Sequence, residues 1–492
     1  MTIPRRLVVV LTLVIGCVLV LTSTPRAAIA QEIGGDFRIS FVGGSGDPTT
    51  GAHFPAVACR STSTDCLAVW NENITDQITI QRIDGQTAAH LGTPSTISSM
   101  GVWGSYPEVA YDPGSDRYLV IWRGYHDIGG GQIEVEIFGQ LIDAENGNEV
   151  GPDDFRISHF GPAGDTAFQA SKPAVTNNPN RGDFLVAWMQ EGGGITRDIG
   201  CQLIDAATGQ ELGADFTITD AAGPVSSSSG ANDPAVAHDT VNDEYLVVWI
   251  AQIESSGTGF EVFGQRLSGA AGAEIGDDVR ISFTGVDGVN VDQHGASYPA
   301  VAHAAATDRW VVVWKGNDDP DPQMAVLEGE VYLQALEGAA GTLTGPRLRL
   351  SDTGGLGALA YSVSYPKVAC GPDLECLVGW GGDDDVGALV DEEKEIFSQM
   401  VNTATLAEVG GNDVRISTMG ATGNPNYDAY SVHLAAIPSL SRYLVVWTGD
   451  TFNPIPLVDE EFEVWGQRYA GGLIFSDGFE SDGTGGWSSA NP

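Results

Sequence analysis

One cassette of short segments recurs seven times along the 492 residues, and this repeat constrains the fold more than any other feature. It opens as Pro107-Glu108-Val109-Ala110-Tyr111, turns at Asp112-Pro113-Gly114 and returns as Tyr118-Leu119-Val120-Ile121-Trp122. After a variable loop come Glu136-Ile137-Phe138-Gly139-Gln140 and then Asp154-Phe155-Arg156-Ile157-Ser158. We label these segments A to D. Segment B ends at Trp70, Trp122, Trp188, Trp249, Trp314, Trp380 and Trp447, and segment C ends at Gln81, Gln140, Gln202, Gln265, Gln334, Gln399 and Gln467.

Each segment is short, rich in Val, Ile, Phe, Tyr and Trp, and bounded by Gly, Asp, Asn or Pro, which reads as a β-strand. Segment B, as in Tyr245-Leu246-Val247-Val248-Trp249, is apolar at every position and needs cover on both faces. Face-to-face packing of four-stranded blades supplies that cover. The expected fold is therefore all-β, a seven-bladed β-propeller with four antiparallel strands per blade over residues 31–470. Segment D occurs first at Asp36-Phe37-Arg38-Ile39-Ser40, ahead of any A, B or C, and the last cassette lacks a clear D. The N-terminal strand is thus expected to complete the last blade and close the ring; Leu473-Ile474-Phe475 is the alternative last D. In this pattern the sequence resembles the seven-bladed propellers of secreted bacterial proteins, a resemblance that implies architecture and not activity.

The repeated Trp residues are expected to fill the space between blades, and the Gln residues to satisfy backbone groups. Two cassettes replace both members of a facing A–B pair with cysteine, which predicts disulfides Cys59–Cys66 and Cys370–Cys376. Cys201 has no partner in its column and is expected to be a buried free thiol.

Arg5 and Arg6, the apolar run Leu7–Leu21 and Ala28-Ile29-Ala30 form the three parts of a secretory signal over residues 1–30, with cleavage after Ala30. A retained membrane anchor is the rival reading. Residues 471–492 form a tail that resembles one found on other exported bacterial proteins. The expected product is a secreted, periplasmic or cell-surface monomer with no membrane span. Sixty-five acids against 23 basic residues, only four of them lysine, give a net charge of -42. That excludes nucleic acid, whose phosphates demand clustered cations.

No HExxH, G-x-S-x-G or phosphate-binding glycine loop is present. His238 and His303 share one column, which packing explains better than catalysis. Four B–C loops instead repeat an acidic pattern: Asp127, Glu134 and Glu136; Asp318, Asp319, Asp321, Glu328 and Glu330; Asp383, Asp384, Asp385, Glu393 and Glu395; Asp450, Glu461 and Glu463. Glutamates two apart on a strand share a face, so these oxygens are candidate Ca²⁺ ligands. The competing reading is a solvated acidic rim. Segment A offers Glu108 as the only carboxylate within its Pro-x-Val-Ala core. The expected function is accordingly an exported non-catalytic binding or scaffold propeller, presenting its acidic rim to a protein or glycan. The alternative is an extracellular polysaccharide-acting hydrolase or lyase.

Overall fold

The structure, a computed structural model, describes residues 31–471 except 44–45, 74, 99–101, 163, 193–194, 220–229, 253–258, 285–294, 318–328, 354–361, 384–388, 391, 421 and 452–456. The expected signal segment 1–30, the tail from 472, and Asp318, Asp319, Asp321, Glu328, Asp384 and Asp385 lie outside the described residues. Apart from one short 3₁₀ turn at Pro438–Leu440, every regular element of the described residues is a β-strand. None of them is a helix long and apolar enough to cross a membrane.

The strands form five four-stranded sheets and one eight-stranded sheet, the latter made when Gln169 pairs with Val135. Each unit runs antiparallel in the order A, B, C, D. The A strands are Ala52–Cys59, Val102–Asp112, Gln169–Asn178, Asn232–Asp239, Ala296–Ala304, Val363–Cys370 and Ala429–Ile437. Each packs against the next, and Ala429–Ile437 packs against Ala52–Cys59. The N-terminal strand Gln31–Arg38 pairs with Glu463–Ala470, placing Phe37 opposite Gly466 and Arg38 opposite Trp465.

The B strands are buried on both faces, as their unbroken apolar pattern demands. Apolar side chains from neighbouring units merge into shared clusters, such as Leu67, Val69 and Ile80 with Val120, Trp122 and Phe138. Another joins Val57, Ala68 and Trp70 of the first unit to Leu444, Val446 and Val464 of the last. All seven repeated Trp are at most 1% exposed. In four units a glycine stands two residues beyond the Trp, and the packing there is close. A Cβ on Gly316 would stand 2.8 Å from the Tyr332 ring, and one on Gly449 3.2 Å from Trp447 Cδ1.

The Gln column serves a bulge. Strands C and D slip register at Gln140, Gln265, Gln334 and Gln399. There each side-chain amide donates to carbonyls the slip leaves open, Gln140 to Leu141 and Val150, Gln334 to Ala335 and Thr344.

A buried acid ties C to D in five units. Glu136 accepts from Arg156 and Ser158, Glu261 from Arg280 and Ser282, Glu330 from Arg349 and Ser351, Glu395 from Arg415 and Ser417, and Glu463 from Arg38 and Ser40. Each serine oxygen also accepts a strand-C amide, for example Val464 N–H at 2.7 Å. Each arginine Nε donates to the same serine's carbonyl, as Arg415 does to Ser417 at 2.9 Å.

Both expected disulfides are formed, and among the described residues Cys201 is the free cysteine, fully buried. Burial pushes its thiol well above the ordinary range. In a native chain beginning at residue 31, a thiol reagent should label nothing; in denaturant it should label one thiol per chain. Labelling of the native chain would contradict the packing.

Burial also pushes Asp36, Glu136 and Asp450 up to about 7 and Glu395 up to about 8, against the hydrogen bonds that pull them down. The folded chain therefore holds protons that the unfolded chain, with values near 3.8–4.5, has released. Stability from these groups is whole below the unfolded values and is lost as pH rises through 7 to 8. The thermal midpoint should be higher at about pH 5.5 than at about pH 8.5 at constant ionic strength. An equal or reversed order would contradict it.

Candidate functional site

All seven A strands carry the same bulge near their start. Pairing with strand B slips by one residue in each. The residue at the slip takes a left-handed backbone: Phe54 (φ 50°), Tyr106 (52°), Lys172 (54°), Asp233 (50°), Tyr298 (53°), Tyr365 (47°) and Ser431 (54°). Six of these precede a proline, a position normally pushed to extended conformations. Left-handed non-glycine residues each cost on the order of 1–3 kcal/mol and persist where the surrounding structure enforces them.

The bulge turns all seven side chains into one pocket. Two residues further along each strand lies a second layer. It is alanine at positions 56, 174, 235 and 300, but Glu108, Lys367 and His433 in the other three units, and these line the same pocket.

Two charge clusters organise it. Lys367 Nζ lies 3.3 Å from Glu108 Oε1, and His433 Nε2 lies 3.1 Å from Glu108 Oε2. His433 Nδ1 accepts the Val57 amide at 3.3 Å, so the network assigns the ring proton to Nε2, which donates to Glu108. Burial alone would raise the Glu108 carboxyl; the Lys367 charge and His433 outweigh it and hold it at about 2. In the upper layer Lys172 Nζ stands 3.1 Å from Asp233 Oδ1 and 5.3 Å from the centre of the Tyr106 ring. Aromatic pairs complete the wall. Phe54 and Tyr106 have ring centres 4.6 Å apart, and Tyr298 and Tyr365 4.2 Å apart. Burial and a hydrogen bond with Tyr298 push the Tyr365 hydroxyl up to about 12, so it keeps its proton at neutral pH.

Chemically this is a pocket with two ammonium groups, hydroxyls, aromatic faces and an ionised carboxylate. Glu108, held ionised, is no proton donor. Of these residues only Glu108 was singled out from the sequence. The missed signal was the residue before proline in segment A, which changes chemistry from unit to unit (Phe, Tyr, Lys, Asp, Tyr, Tyr) while its surroundings repeat.

The acidic loop residues have other occupations. Asp127 is exposed and accepts the Gly129 amide at 2.8 Å. Glu134, Glu136, Glu330, Asp383, Glu393, Glu395, Asp450, Glu461 and Glu463 are all buried, which corrects the expected solvated rim. Burial is tolerated because these acids accept backbone amides and arginine. Glu134 holds Gly164 N–H at 3.0 Å, Glu393 holds Gly423 at 2.8 Å and Glu461 holds Gly46 at 2.8 Å. Asp383 accepts the Glu392 amide, and Asp450 those of Asp428 and Glu460. Most of them pin the D–A connections to strand C. Among the described residues, the group of His, Cys, Asp or Glu side chains close enough to share a metal ion is Asp239, His303 and Asp308, on other strands.

No protein-family model matches the chain, and no curated protein matches its sequence. Solved structures share its fold. An ulvan lyase of a new polysaccharide lyase family, bound to GlcA(1-4)Rha3S, superposes with a TM-score of 0.50 and 8% identity over 87% of this chain and 95% of that one. A protein of unknown function from Dyadobacter fermentans gives 0.46 and 12% identity over 89% and 100%. An α-L-arabinanase from Penicillium chrysogenum complexed with arabinobiose gives 0.44 and 12% over 88% and 98%. The fold is thus propeller-like and shared with a polysaccharide lyase. The expected non-catalytic scaffold is corrected on that finding and on a physical one. It rested on inner strands poor in chemistry, whereas those strands place Glu108, Lys172, Asp233, Tyr298, Tyr365, Lys367 and His433 in one pocket.

The strained backbone makes a prediction. Tyr298→Gly should unfold in urea close to the parent, because relief of left-handed strain offsets the lost side chain. Tyr298→Val, β-branched at positive φ, should lose about 1–2 kcal/mol relative to the glycine variant. Equal stabilities would remove the strain argument.

Proposed function

We propose that this protein is an exported polysaccharide lyase, a closed seven-bladed propeller that cleaves a uronate-bearing chain in its central pocket. Closure is supported by the pairing of the N-terminal strand with Glu463–Ala470 and by the unbroken sequence of A-strand contacts back to the first. Export is supported by two disulfides, which persist in oxidising compartments.

One observation carries the enzymatic reading. In a chain of net charge -42 with four lysines, two of the four, Lys172 and Lys367, line the central pocket beside four aromatic rings and a paired carboxylate. An ammonium group has three donors, so each lysine can hold its carboxylate partner and still meet a substrate carboxylate. Aromatic faces such as Phe54 and Tyr106 suit the apolar faces of sugar rings.

Elimination fits these groups better than hydrolysis. Hydrolysis ordinarily needs one carboxylic acid kept protonated, and Glu108 is held ionised. In elimination a carboxylate of the pocket, Asp233 or Glu108, takes the proton from the carbon beside the uronate carboxylate. The bond from the next carbon to the leaving sugar oxygen breaks, a double bond forms between the two carbons, and the leaving oxygen takes a proton. Lys172 and Lys367 stabilise the charge that spreads onto the carboxylate. Tyr365, which retains its proton, gives that proton to the leaving sugar oxygen, with Tyr298 as its hydrogen-bond partner.

A panel of uronate-containing and neutral polysaccharides, followed by ultraviolet absorbance of the unsaturated product and by reducing ends, tests this. Both signals should rise together on a uronate polymer. Tyr365→Phe should lower the rate by about 10²–10⁴-fold with an unchanged thermal midpoint. Reducing ends without absorbance would make the enzyme a hydrolase and overturn elimination; neither signal on any polymer would overturn the enzymatic reading.

A further inference from the structure

The opposite ends of the A strands meet neighbouring units at a repeated junction. There an aspartate with positive φ in the A–B turn receives a donor from the preceding unit. Arg60 donates to Asp116 at 2.6 Å, and Asn178 Nδ2 donates to Asp243 Oδ1 at 2.8 Å. A ring from the aspartate's own A strand also reaches it, as His238 Nε2 reaches Asp243 Oδ1 at 3.2 Å.

The junction after the fourth A strand takes its donor to Asp308 from elsewhere, the Asn242 side-chain amide at 3.0 Å from Oδ1, and differs at the end of the strand itself. Asp239 ends strand Asn232–Asp239 as Asn178 ends Gln169–Asn178, so a carboxylate stands where the neighbouring junction has a donor amide. It faces a second carboxylate, Asp308, and His303 lies between them. His303 Nε2 is 3.3 Å from Asp239 Oδ1 and 3.3 Å from Asp308 Oδ1. Each spacing lies at the long end of the N–H···O range, and one Nε2 proton is shared between two carboxylate oxygens. The same spacings match a metal. Zn²⁺ bonds of about 2.0–2.1 Å in a tetrahedron set ligand atoms about 3.3–3.4 Å apart.

The surroundings hold the donors in place. Asp239 is fully buried, and its Oδ1 is fixed by the amides of Val241 at 2.7 Å and Asn242 at 3.1 Å. The His303 ring lies 4.8 Å from that of Trp310. The Asn242 side-chain amide sits 2.7 Å from Asp239 Oδ2 and 3.0 Å from Asp308 Oδ1. A half-turn of that amide exchanges its nitrogen for an oxygen and provides a fourth ligand. Asp308 is part-exposed and gives an ion its entry.

We propose that Asp239, His303 and Asp308 form a Zn²⁺ site that clips the fourth unit to the fifth. Imidazole with two carboxylates suits Zn²⁺, whereas Ca²⁺ takes an all-oxygen shell. The site lies at the far ends of the strands from the pocket, so it is structural and independent of the proposed cleavage.

The full-length chain, stripped with EDTA and dialysed, is titrated with ZnCl₂ by calorimetry and with CoCl₂ by visible absorption. The parent should take up one tight equivalent, show the intense visible bands of tetrahedral cobalt, and gain several degrees in thermal midpoint. Asp308→Asn should bind at least about tenfold more weakly with an unchanged metal-free midpoint, because asparagine tolerates the left-handed backbone at 308. Asp243→Asn, at the equivalent place in the preceding junction, should bind as the parent does. His303→Gln should repeat the loss if Asp308→Asn folds poorly. A parent that takes up no zinc, or an Asp308→Asn chain that binds as tightly as the parent, overturns the site.

Discussion

In five units a glutamate is buried between strands C and D, where an uncompensated charge would cost several kcal/mol and where burial pushes the carboxyls of Glu136 and Glu395 up to about 7 and 8. The rest of the unit is arranged around answering that charge. An arginine and a serine two residues apart on strand D reach it from the same face, and the serine oxygen passes the hydrogen bonding on to the strand-C backbone. Because both partners come from one short Arg-Ile-Ser segment, or Arg-Leu-Ser at Arg349–Ser351, the network fixes the register of the outer strand. It does so even where that strand comes from the far end of the chain, as Arg38 and Ser40 do for Glu463. The adjacent Gln-filled bulge then turns strand D without leaving a carbonyl unpaired. Remove the arginine and the carboxylate is stranded; remove the carboxylate and the arginine is.

The architecture was legible because it repeats. Seven copies of Trp and Gln at fixed places, and two cysteine pairs at facing positions, are each strong signals, and the strands and both disulfides lie where that pattern puts them. The chemistry was legible only where a residue type is conspicuous by itself, as with Glu108. A bulge leaves no mark in hydrophobic periodicity, since the apolar pattern resumes one residue later. So the reading of the A strands could not tell that the residue before proline turns inward. The acids misled for a related reason. An i, i+2 pair of glutamates on a strand announces a shared face, but whether that face meets water or an arginine depends on strand D, some twenty residues away.

Charge placement also takes a different meaning from the one its excess suggests. Many of the repeated acids are interior fasteners, pinning the connections that enter the A strands. The pocket these connections surround is close to charge-balanced, with Lys172 beside Asp233 and Lys367 beside Glu108. A molecule entering the pocket would meet local pairs and aromatic faces, and the net charge of the chain would act on it only from a distance, screened by salt.

The left-handed residue at the mouth of each A strand separates two things that most binding sites entangle. Its backbone is dictated by the register slip common to all seven strands, while its side chain is held by nothing that the other strands share. Phenylalanine, tyrosine, lysine, aspartate and serine all occupy it at nearly the same φ. The site behaves as seven sockets of one gauge, each able to take a different plug. A single substitution at one socket changes the chemistry of the pocket's wall while the framework that carries the socket stays as it was.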